Sequence, residues 1–285
     1  MNERASGEII VAYQGPRGTF GEQAAKKYFV KATFVPYPSI ADIFNSIEEG
    51  DADYGIVPIE NSTEGSISIT LDCLLESHIM ICGEVDLKIT HNLIARQNIN
   101  LDQITVILSH PQALAQCRQF LEKTFPRIEL REVSSTAKAV ELLRDIDHGA
   151  AIGTEDAAER MGMVILKKQI EDDPNNLTRF FILGRSDAKP TGSDKTSVVF
   201  STKHVPGALY RVLKIFATKN INLTKIESRP DKKKPWNYVF YVDFEGHRTE
   251  KKIGDTIKMM RERCLYIKIL GSYLKASDSI NLESE

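Results

Sequence analysis

The chain has 285 residues, a length that suggests about two domains, and its 42% hydrophobic and 27% charged residues are ordinary for a folded globular protein. Its formal net charge of -2 argues against a nucleic-acid binder that relies on a large basic excess. No run reaches the roughly 18 apolar residues of a membrane span, and no apolar run that could serve as a signal peptide follows Met1–Arg4. The four cysteines lack C-x-x-C spacing, so we expect reduced thiols in a cytoplasmic protein without a metal site.

Predicted strands and helices alternate through the first 185 residues. A strand over 8–13 leads through Gly15–Gly18 into a helix that runs to about Phe29, with Thr19 and Glu22 as a capping box. Further strands are predicted at 32–37, 54–57, 79–87, 92–95, 105–109, 128–133, 150–153 and 164–170. Helices are predicted after Ser39 as far as Gly50, from Pro111, and over 137–145. This alternation predicts an α/β fold with mostly parallel strand pairing.

The order of elements changes after a polar segment over 186–194, which we interpret as a linker. The later elements are a strand at 196–201, a helix at 207–219, strands at 222–228 and 237–244, a helix at 250–263 and a strand at 267–273. This βαββαβ order is ferredoxin-like. The sequence therefore predicts two domains, at 8–185 and 195–275, followed by a polar tail after Lys275 that we expect to fray.

Four polar stretches lie where predicted strands lead into helices, the place where open α/β sheets bind ligands. They are Gly15–Gly21, Pro58–Ser66, Ser109–Gln116 and Ser134–Ala137. Helix N-termini present amide donors and a positive dipole end, so each stretch could hold an anion. Each is also compatible with an ordinary turn or a capped helix start, and the residues alone leave both interpretations open. The first stretch departs from G-x-G-x-x-G, which argues against a dinucleotide site.

Several side chains in these stretches are candidates for substrate contacts. Glu60, Asn61 and Ser62 could contact a polar ligand, and Gln116 lies on one helix face with Gln112, four residues earlier. His110 could act as an acid or base, although a histidine at a helix start is more often a cap or a surface residue. For His91, which stands between two predicted strands, we expect a packed and hydrogen-bonded role.

Thr178 and Arg179 stand at the head of an apolar strand, after the acidic loop Glu171–Pro174 and the pair Asn175-Asn176. An arginine beside a hydroxyl suits a substrate that carries a carboxylate and loses an oxygen leaving group. The alternative is structural, with Thr178 as a strand former and Arg179 in a salt bridge.

Together these segments resemble the prephenate dehydratase family over about residues 9–273. The motifs that carry the resemblance are Tyr13-Gln14-Gly15 with Gly18, Pro58–Ser62, Ser109–Gln116, Ser135–Ala137, Thr178–Phe180, Gly207–Leu209 and Glu227–Pro230. Each motif is weak alone, but their order and spacing are specific. Tyr210 departs from the family pattern, which often has a small aliphatic residue there, and the departure could alter effector affinity.

The resemblance implies a fold and a set of roles. The catalytic domain, 8–185, would consist of two α/β lobes with the site in the cleft, similar to type II periplasmic binding proteins, and 195–275 would be an ACT domain that binds phenylalanine. The implied catalytic residues are Thr178, Glu60, Asn61, Ser109 and Gln116. The implied substrate contacts are Ser62, Arg179, Phe180 and Thr136. The implied effector contacts are Gly207, Ala208, Leu209, Asn222, Glu227, Ser228, Arg229 and Pro230.

The implied reaction converts prephenate to phenylpyruvate, with feedback inhibition by phenylalanine. Aromatisation supplies the driving force, so neither a cofactor nor a metal is expected. A threonine hydroxyl is too weak an acid to protonate the leaving group alone, and we expect Thr178 to act as a positioned donor or proton relay. The family also implies a homodimer or homotetramer, and no chorismate mutase segment precedes Glu8, which suggests a monofunctional enzyme. Residues Glu60–Gly65 and Ser135–Ala139 resemble the bacterial prephenate type, although one side-chain contact can shift the preference to arogenate.

Two other classes of protein remain as alternatives. A non-catalytic binding protein could share the two-lobed fold, but the expected lack of a signal peptide weakens it. An amino-acid-responsive transcription regulator could carry an ACT domain, but it would need a helix-turn-helix and a basic face that the sequence does not show.

Overall fold

Strands and helices alternate in the first part of the protein, as the sequence pattern predicts. The computed structural model describes residues 8–231 and 238–276, so the tail beyond 276 lies outside the described residues. The strands are β1 (Ile10–Gln14), β2 (Thr33–Tyr37), β3 (Tyr54–Asn61), β4 (Gly65–Ser66), β5 (Met80–Lys88), β6 (Asn92–Ala95), β7 (Val106–Ser109), β8 (Glu129–Glu132), β9 (Gly149–Gly153), β10 (Val164–Lys167) and β11 (Leu177–Gly184). The helices are α1 (Phe20–Tyr28), α2 (Ile40–Glu49), α3 (Ser68–Glu76), α4 (Pro111–Gln116), α5 (Arg118–Thr124), α6 (Thr136–Leu142) and α7 (Glu155–Met161).

The last part of the chain forms a four-stranded antiparallel sheet with two helices. Its elements are β12 (Asp194–Ser201), α8 (Ala208–Thr218), β13 (Leu223–Pro230), β14 (Tyr238–Glu245), α9 (Lys251–Arg261) and β15 (Tyr266–Leu274). The strand order is β13-β14-β12-β15, and every neighbouring pair is antiparallel. Phe200, Phe216 and Phe244 lie in the core between this sheet and its helices. The predicted ferredoxin-like βαββαβ order is confirmed.

In the first sheet, a strand from late in the chain is inserted between two early ones. The order is β2-β1-β3-β11-β5, with β4 paired to β3, and β1 and β2 are parallel. Because β11 lies beside β3, the segment after Asn175 is brought next to the end of β3. This arrangement positions the candidate site.

The second sheet has the order β10-β6-β9-β7-β8, and one of its strands runs against the others. β7 pairs in parallel with both β8 and β9, whereas β6 is antiparallel to both β9 and β10. The prediction of mostly parallel pairing is therefore wrong for β6. The physical reason is that the sheet neighbours of β6 are β9 and β10, which come much later in the chain, so the local alternation of strands and helices does not specify the direction of β6.

Two local predictions are also wrong. Thr19 precedes α1, but its side chain does not cap the helix; its hydroxyl donates to the Gln14 carbonyl (3.0 Å), and the Gly18 amide donates to the Glu22 carboxylate (2.6 Å). The interpretation of Pro58–Ser66 as a capped helix start is wrong, because β3 extends to Asn61 and turns back into β4, and α3 begins only at Ser68. At Thr19 a side chain, and after Asn61 a strand, takes a partner that the local pattern does not specify.

The chain divides into two compact units. The first comprises Met1–Ile43, Ile56–Ile67 and Asp86–Phe180, and the second comprises Phe44–Gly55, Ser68–Val85 and Phe181–Glu285. The first unit contains the whole second sheet and the candidate site residues of the catalytic part. The second contains the four-stranded sheet together with α3. Within the described residues, no helix combines the length and apolar character needed to cross a membrane.

Within the second unit, β15 approaches β5 so closely that only glycine fits at one position. A Cβ atom placed on Gly271 would lie 2.0 Å from the Ile81 carbonyl oxygen and 2.8 Å from the Ile81 nitrogen. Both atoms belong to the backbone and cannot rotate away, so a larger residue would force the strands apart.

We therefore predict that Gly271→Ala lowers the free energy of unfolding by about 1–3 kcal/mol, as expected for overpacking. Urea unfolding followed by circular dichroism measures this change. Gly254→Ala in α9 is the matched control, since the nearest atom to its Cβ would be 3.6 Å away. Replacing that helical glycine should raise stability by about 0.5–1 kcal/mol. Equal stability of the Gly271→Ala variant and the wild type would contradict the packing argument.

Candidate active site

The candidate site is built where the end of β3 meets the start of β11. Asn61 is 3% exposed and Thr178 is 8% exposed, and the Asn61 Nδ2 group lies 2.8 Å from Thr178 Oγ1. The backbones pair at the same point, because the Ser62 amide donates to the Leu177 carbonyl (2.8 Å) and the Leu177 amide donates to Ser62 Oγ (3.0 Å). The strand pairing therefore brings together Thr178, Asn61 and Ser62, three of the residues predicted from the motifs.

The orientation of the Asn61 carboxamide follows from its neighbours. Asn61 Oδ1 accepts hydrogen bonds from the backbone amides of Thr63 (3.1 Å) and Glu64 (3.2 Å). Backbone amides can only donate, so the oxygen must face them and the Nδ2 group must face Thr178. The Thr178 oxygen is consequently an acceptor. Within the described residues its hydroxyl proton has no acceptor, so the O–H group is available to donate to a ligand.

A second asparagine extends this network. Asn61 Nδ2 also donates to Asn176 Oδ1 (2.7 Å), and Asn176 Nδ2 donates to Gln116 Oε1 (3.1 Å). Asn176 is 1% exposed and is not among the residues that the motifs predict. The sequence does contain a pattern that indicates Asn176: it lies two residues before Thr178, and alternate residues of an extended chain share one face.

Gln116 makes the hydrogen bonds at the other end of this network. Its Nε2 group donates to Glu64 Oε1 (2.9 Å), and its Oε1 atom lies 2.9 Å from His91 Nε2. A carboxylate only accepts, so Glu64 fixes the Gln116 nitrogen on its side and leaves the oxygen for His91 and Asn176. The structure thus places the predicted residue Gln116 in the same network as Thr178.

His91 is packed and hydrogen-bonded, as expected. It is 1% exposed, its ring packs edge-on against Phe20 at 5.6 Å between centroids, and its backbone amide donates to Glu171 Oε2 (2.8 Å). Burial lowers the pKa of the His91 ring, although the bond to Gln116 and the charge of Glu171 act in the opposite direction. The imidazole is therefore neutral at neutral pH. Its Nδ1 atom has no hydrogen-bond partner within the described part of the chain.

Two carboxylates of the acidic loop over 171–174 accept hydrogen bonds that hold the loop in place. Glu171 accepts from the backbone of His91, and both Asp172 carboxylate oxygens accept from the Gln119 amide at 3.1 Å, in the first turn of α5. Negative charge is favourable at a helix N-terminus. The loop is held at two points immediately before β11, so it delivers Asn176 and Thr178 in a defined place.

Arg179 points to the opposite side of β11 from Thr178, because neighbouring residues of a strand face opposite ways. Its guanidinium Nε lies 3.2 Å from Asp86 Oδ1 and its Nη1 lies 3.6 Å from Glu60 Oε2. The salt-bridge alternative is therefore present in the structure. Substrate contact by Arg179 and a catalytic role for Glu60 stay predictions.

The other predicted residues of this part make local contacts. Ser109 is buried and its hydroxyl donates to the Ile152 carbonyl (2.8 Å), which ties β7 to β9. Phe180 is buried in β11, and Thr136 is the first residue of α6, which Ser135 caps by accepting from the Lys138 amide (3.0 Å). Within the described residues, none of the three hydrogen-bonds to the Thr178 network. Their roles toward a substrate stay predictions.

His110 is a helix cap. Its Nδ1 accepts from the Gln112 amide (3.3 Å) at the start of α4. The cap interpretation of the motif is confirmed by this geometry.

The predicted effector residues lie at the start of α8 and along β13. Gly207 precedes α8 with φ of 74°, a left-handed conformation that favours glycine, and Ala208 and Leu209 form the first turn. Asn222 lies immediately before β13, and its side chain bonds to Glu245. Tyr210, the departure from the family pattern, is exposed on α8.

The Glu227–Pro230 segment is split between the two faces of β13. Glu227 and Arg229 lie on the partly buried face, whereas Ser228 and Pro230 are exposed. Arg229 also pairs with Asp72 of α3, with 3.3 Å between Nη2 and Oδ1. These four side chains therefore cannot all face one ligand within a single protomer, and their effector role stays a prediction.

The first part of the chain is an α/β domain in which carboxamides hold a buried hydroxyl, an arrangement that suits a polar ligand. A βαββαβ domain follows it. The fold and the site together define a class of two-domain proteins with a polar ligand site. The sequence profile for prephenate dehydratase matches residues 11–188, and that for the ACT domain matches residues 196–258. The chain belongs to the prephenate dehydratase family. Its predicted fold class, a periplasmic-binding-protein-like α/β part with a C-terminal ACT domain, is confirmed.

Three known proteins illustrate the similarity. The bifunctional chorismate mutase/prephenate dehydratase of Aquifex aeolicus is 46% identical over 270 residues, which cover 94% of this chain and 74% of that protein. The prephenate dehydratase of Methanocaldococcus jannaschii is 41% identical over 92% of this chain and 97% of its own length. The crystal structure of the Arthrobacter aurescens prephenate dehydratase in complex with L-phenylalanine has a TM-score of 0.88, with 34% identity over 94% of this chain and 91% of that one.

The buried histidine generates a prediction about stability. Because burial lowers the pKa of His91 below its ordinary value of 6.5, the folded protein binds fewer protons there than the unfolded chain does. The free energy of unfolding should therefore fall as the pH drops below that value. In the His91→Gln variant, urea unfolding at pH 7 and pH 5 should show a smaller fall than in the wild type. Parallel falls in the two proteins would contradict the assignment of a neutral buried ring.

Proposed function

We propose that this protein is a prephenate dehydratase, which converts prephenate to phenylpyruvate in the biosynthesis of phenylalanine. Family membership supports an enzyme over the binding-protein and regulator alternatives. The observation that carries the proposal at the level of residues is the Thr178 hydroxyl. Its oxygen accepts from Asn61, and its proton has no acceptor within the described residues.

The chemistry needs such a donor. The bond between the ring and its carboxylate breaks, its electron pair enters the ring, and carbon dioxide leaves. The electron pair shifts through the double bonds of the ring, the C–O bond on the opposite ring carbon breaks, and the departing hydroxide takes a proton to become water. Thr178 donates a hydrogen bond to this oxygen and can relay a proton to it. The bond that Thr178 accepts from Asn61 polarises its own O–H group, which makes it a better donor.

The substrate carries two carboxylates, so the site must tolerate negative charge. The proposal assigns a carboxylate to the hydroxyl groups of Ser62 and Thr136. Arg179 lies on the opposite face of β11 from Thr178 and pairs with Asp86 (3.2 Å) and Glu60 (3.6 Å), so its predicted substrate contact would need a carboxylate that reaches past the edge of the strand.

Substitution of Thr178 tests the assignment. Thr178→Val keeps the shape of the side chain but removes the donor, and we predict a loss of at least ~10²-fold in kcat, the lower range for positioned proton transfer. Thr178→Ser keeps the hydroxyl and should retain most activity. Turnover is followed by the absorbance of phenylpyruvate, with arogenate assayed in parallel to define the substrate range.

Asn61 offers an independent check of the same contact. Asn61→Asp turns a carboxylate oxygen toward Thr178, which would capture the hydroxyl proton, so its kcat should fall below that of Asn61→Ala. Folded Thr178→Val protein with near-normal turnover would overturn the assignment of Thr178 itself.

We further infer that phenylalanine inhibits the enzyme through the ACT domain and that the protein is a homodimer or homotetramer. Support for the effector comes from the match over 196–258 and from the first turn of α8, where amide donors suit a carboxylate. Support for pairing comes from Ile226, Tyr238 and Tyr266, which are exposed apolar side chains on the four-stranded sheet. The scattered cysteines suit a reducing compartment, and we propose the cytoplasm.

The regulatory proposal predicts saturable binding of L-phenylalanine in isothermal titration calorimetry. A coupling of about 1–3 kcal/mol between the sites would reduce activity by ~5–150-fold at saturation. D-phenylalanine is the matched control and should bind much more weakly. Light scattering during gel filtration reports the mass of the assembly. No heat and no inhibition by the L isomer would contradict the proposal.

A further inference from the structure

We propose that His91 is a positioning residue for the reaction proposed above, on which this inference rests. Its Nε2–H group donates to Gln116 Oε1 and, together with Glu64 on the other side, holds the Gln116 carboxamide in the one orientation that keeps the donors of the site available. The contact joins atoms 2.9 Å apart, and the ring that makes it is 1% exposed.

A chain of hydrogen-bonded carboxamides keeps one direction of its bonds only if the groups at both ends are fixed. Asn61, Asn176 and Gln116 follow one another in the network, and a half-turn of any carboxamide exchanges its donor and its acceptor without changing its shape. At one end, backbone amides fix Asn61. At the other end, Glu64 accepts from Gln116 Nε2 and His91 approaches Gln116 Oε1. The two ends impose compatible directions, so every bond between them pairs a donor with an acceptor.

The direction of the His91 bond is determined by its partner. Gln116 Oε1 can only accept, so the proton of the imidazole must lie on Nε2. A neutral ring has one N–H, which leaves Nδ1 without a proton. Nδ1 has no hydrogen-bond partner within the described residues, and a second buried N–H there would be left unsatisfied. The neutral Nε2–H form is therefore the one that the surroundings of His91 favour.

Reversal of the Gln116 carboxamide would affect the site in two ways. One N–H of Gln116 is used by Glu64, and the other has no acceptor within the described part of the chain, so it is available to an anionic substrate. A reversed group would offer an oxygen lone pair to the substrate instead. It would also turn the NH2 group of Gln116 toward Asn176 Nδ2, so that two donors face each other. Asn176 would then be disfavoured in the orientation in which its Oδ1 accepts from Asn61.

The proton position can be tested without any assay of activity. In protein labelled with ¹⁵N, long-range ¹H–¹⁵N correlation spectra distinguish a ring protonated on Nε2 from one protonated on Nδ1. We expect His91 to be in the neutral Nε2–H form at pH 7.5. A proton on Nδ1 alone would overturn the proposal, because Gln116 Oε1 would then face a second acceptor.

Two isomeric substitutions separate positioning from packing. In His91→Gln the amide nitrogen reaches the place of Nε2, whereas in His91→Asn it reaches only that of Nδ1. We expect kcat/KM of His91→Gln to stay within about threefold of the wild type and that of His91→Asn to fall about tenfold further, equivalent to about 1.4 kcal/mol. Equal losses in the two variants would show that only the ring's packing matters and would overturn the proposal.

The buried histidine of the ACT domain provides the matched control pair. His247 is buried and its ring hydrogen-bonds to Thr249 Oγ1 (2.8 Å) and to the Ala188 carbonyl (3.0 Å). Without phenylalanine present, His247→Gln and His247→Asn should have equal kcat/KM; a gap between them as large as the His91 gap would count against the proposal. If the wild type itself fails to turn over prephenate, the proposed function fails, and the spectroscopic test still decides the state of His91.

Discussion

The pairing of β3 with β11 is the constraint on which the candidate site depends. Asn61 and Thr178 are separated by 117 positions in the sequence, and they meet because β11 is inserted beside β3 in the first sheet. Closing so long a loop costs conformational entropy, which the burial of apolar residues in the strands offsets. Ile56, Val57 and Ile59 of β3 are fully or almost fully buried. The Thr178 side chain is thus held by the same packing that holds the sheet.

The side chain that hydrogen-bonds to Thr178 is a carboxamide rather than a charged group, and this difference has a chemical consequence. A carboxamide donates and accepts, so Asn61 can bind the threonine oxygen without competing for its proton. A carboxylate in that place would take the proton and repel a dianionic substrate. The acidic side chains nearby are held in other contacts, with Glu64 on Gln116 and Asp86 on Arg179. The hydroxyl that we propose as the leaving-group donor is therefore hydrogen-bonded to an uncharged carboxamide.

In the second unit, side chains of the four-stranded sheet hold helix α3 at several points. Tyr241 donates to the Leu71 carbonyl (2.9 Å), Lys268 donates to the Leu74 carbonyl (2.8 Å), and Arg229 pairs with Asp72. Burial lowers the pKa of Lys268. The buried pair of Lys195 and Glu84, 2.6 Å apart, links the same sheet to β5. Removing one partner of the Lys195–Glu84 pair would leave an uncompensated buried charge, so this pair fixes the sheet on β5, whereas the contacts of Tyr241, Lys268 and Arg229 fix it on α3.

The sequence by itself determined the elements, because helix caps, apolar periodicity and glycine positions act over a few residues. The βαββαβ order, the helix from Pro111 and the family motifs follow from such local patterns. Tertiary structure decided the reversed direction of β6, the hairpin after Asn61 and the use of Glu22 in place of a Thr19 cap. It also decided that Asn176 and His91 join the predicted residues. Strand order and the direction of hydrogen bonds between distant side chains depend on which segments become neighbours in the fold. The local periodicity of the sequence does not specify those neighbours.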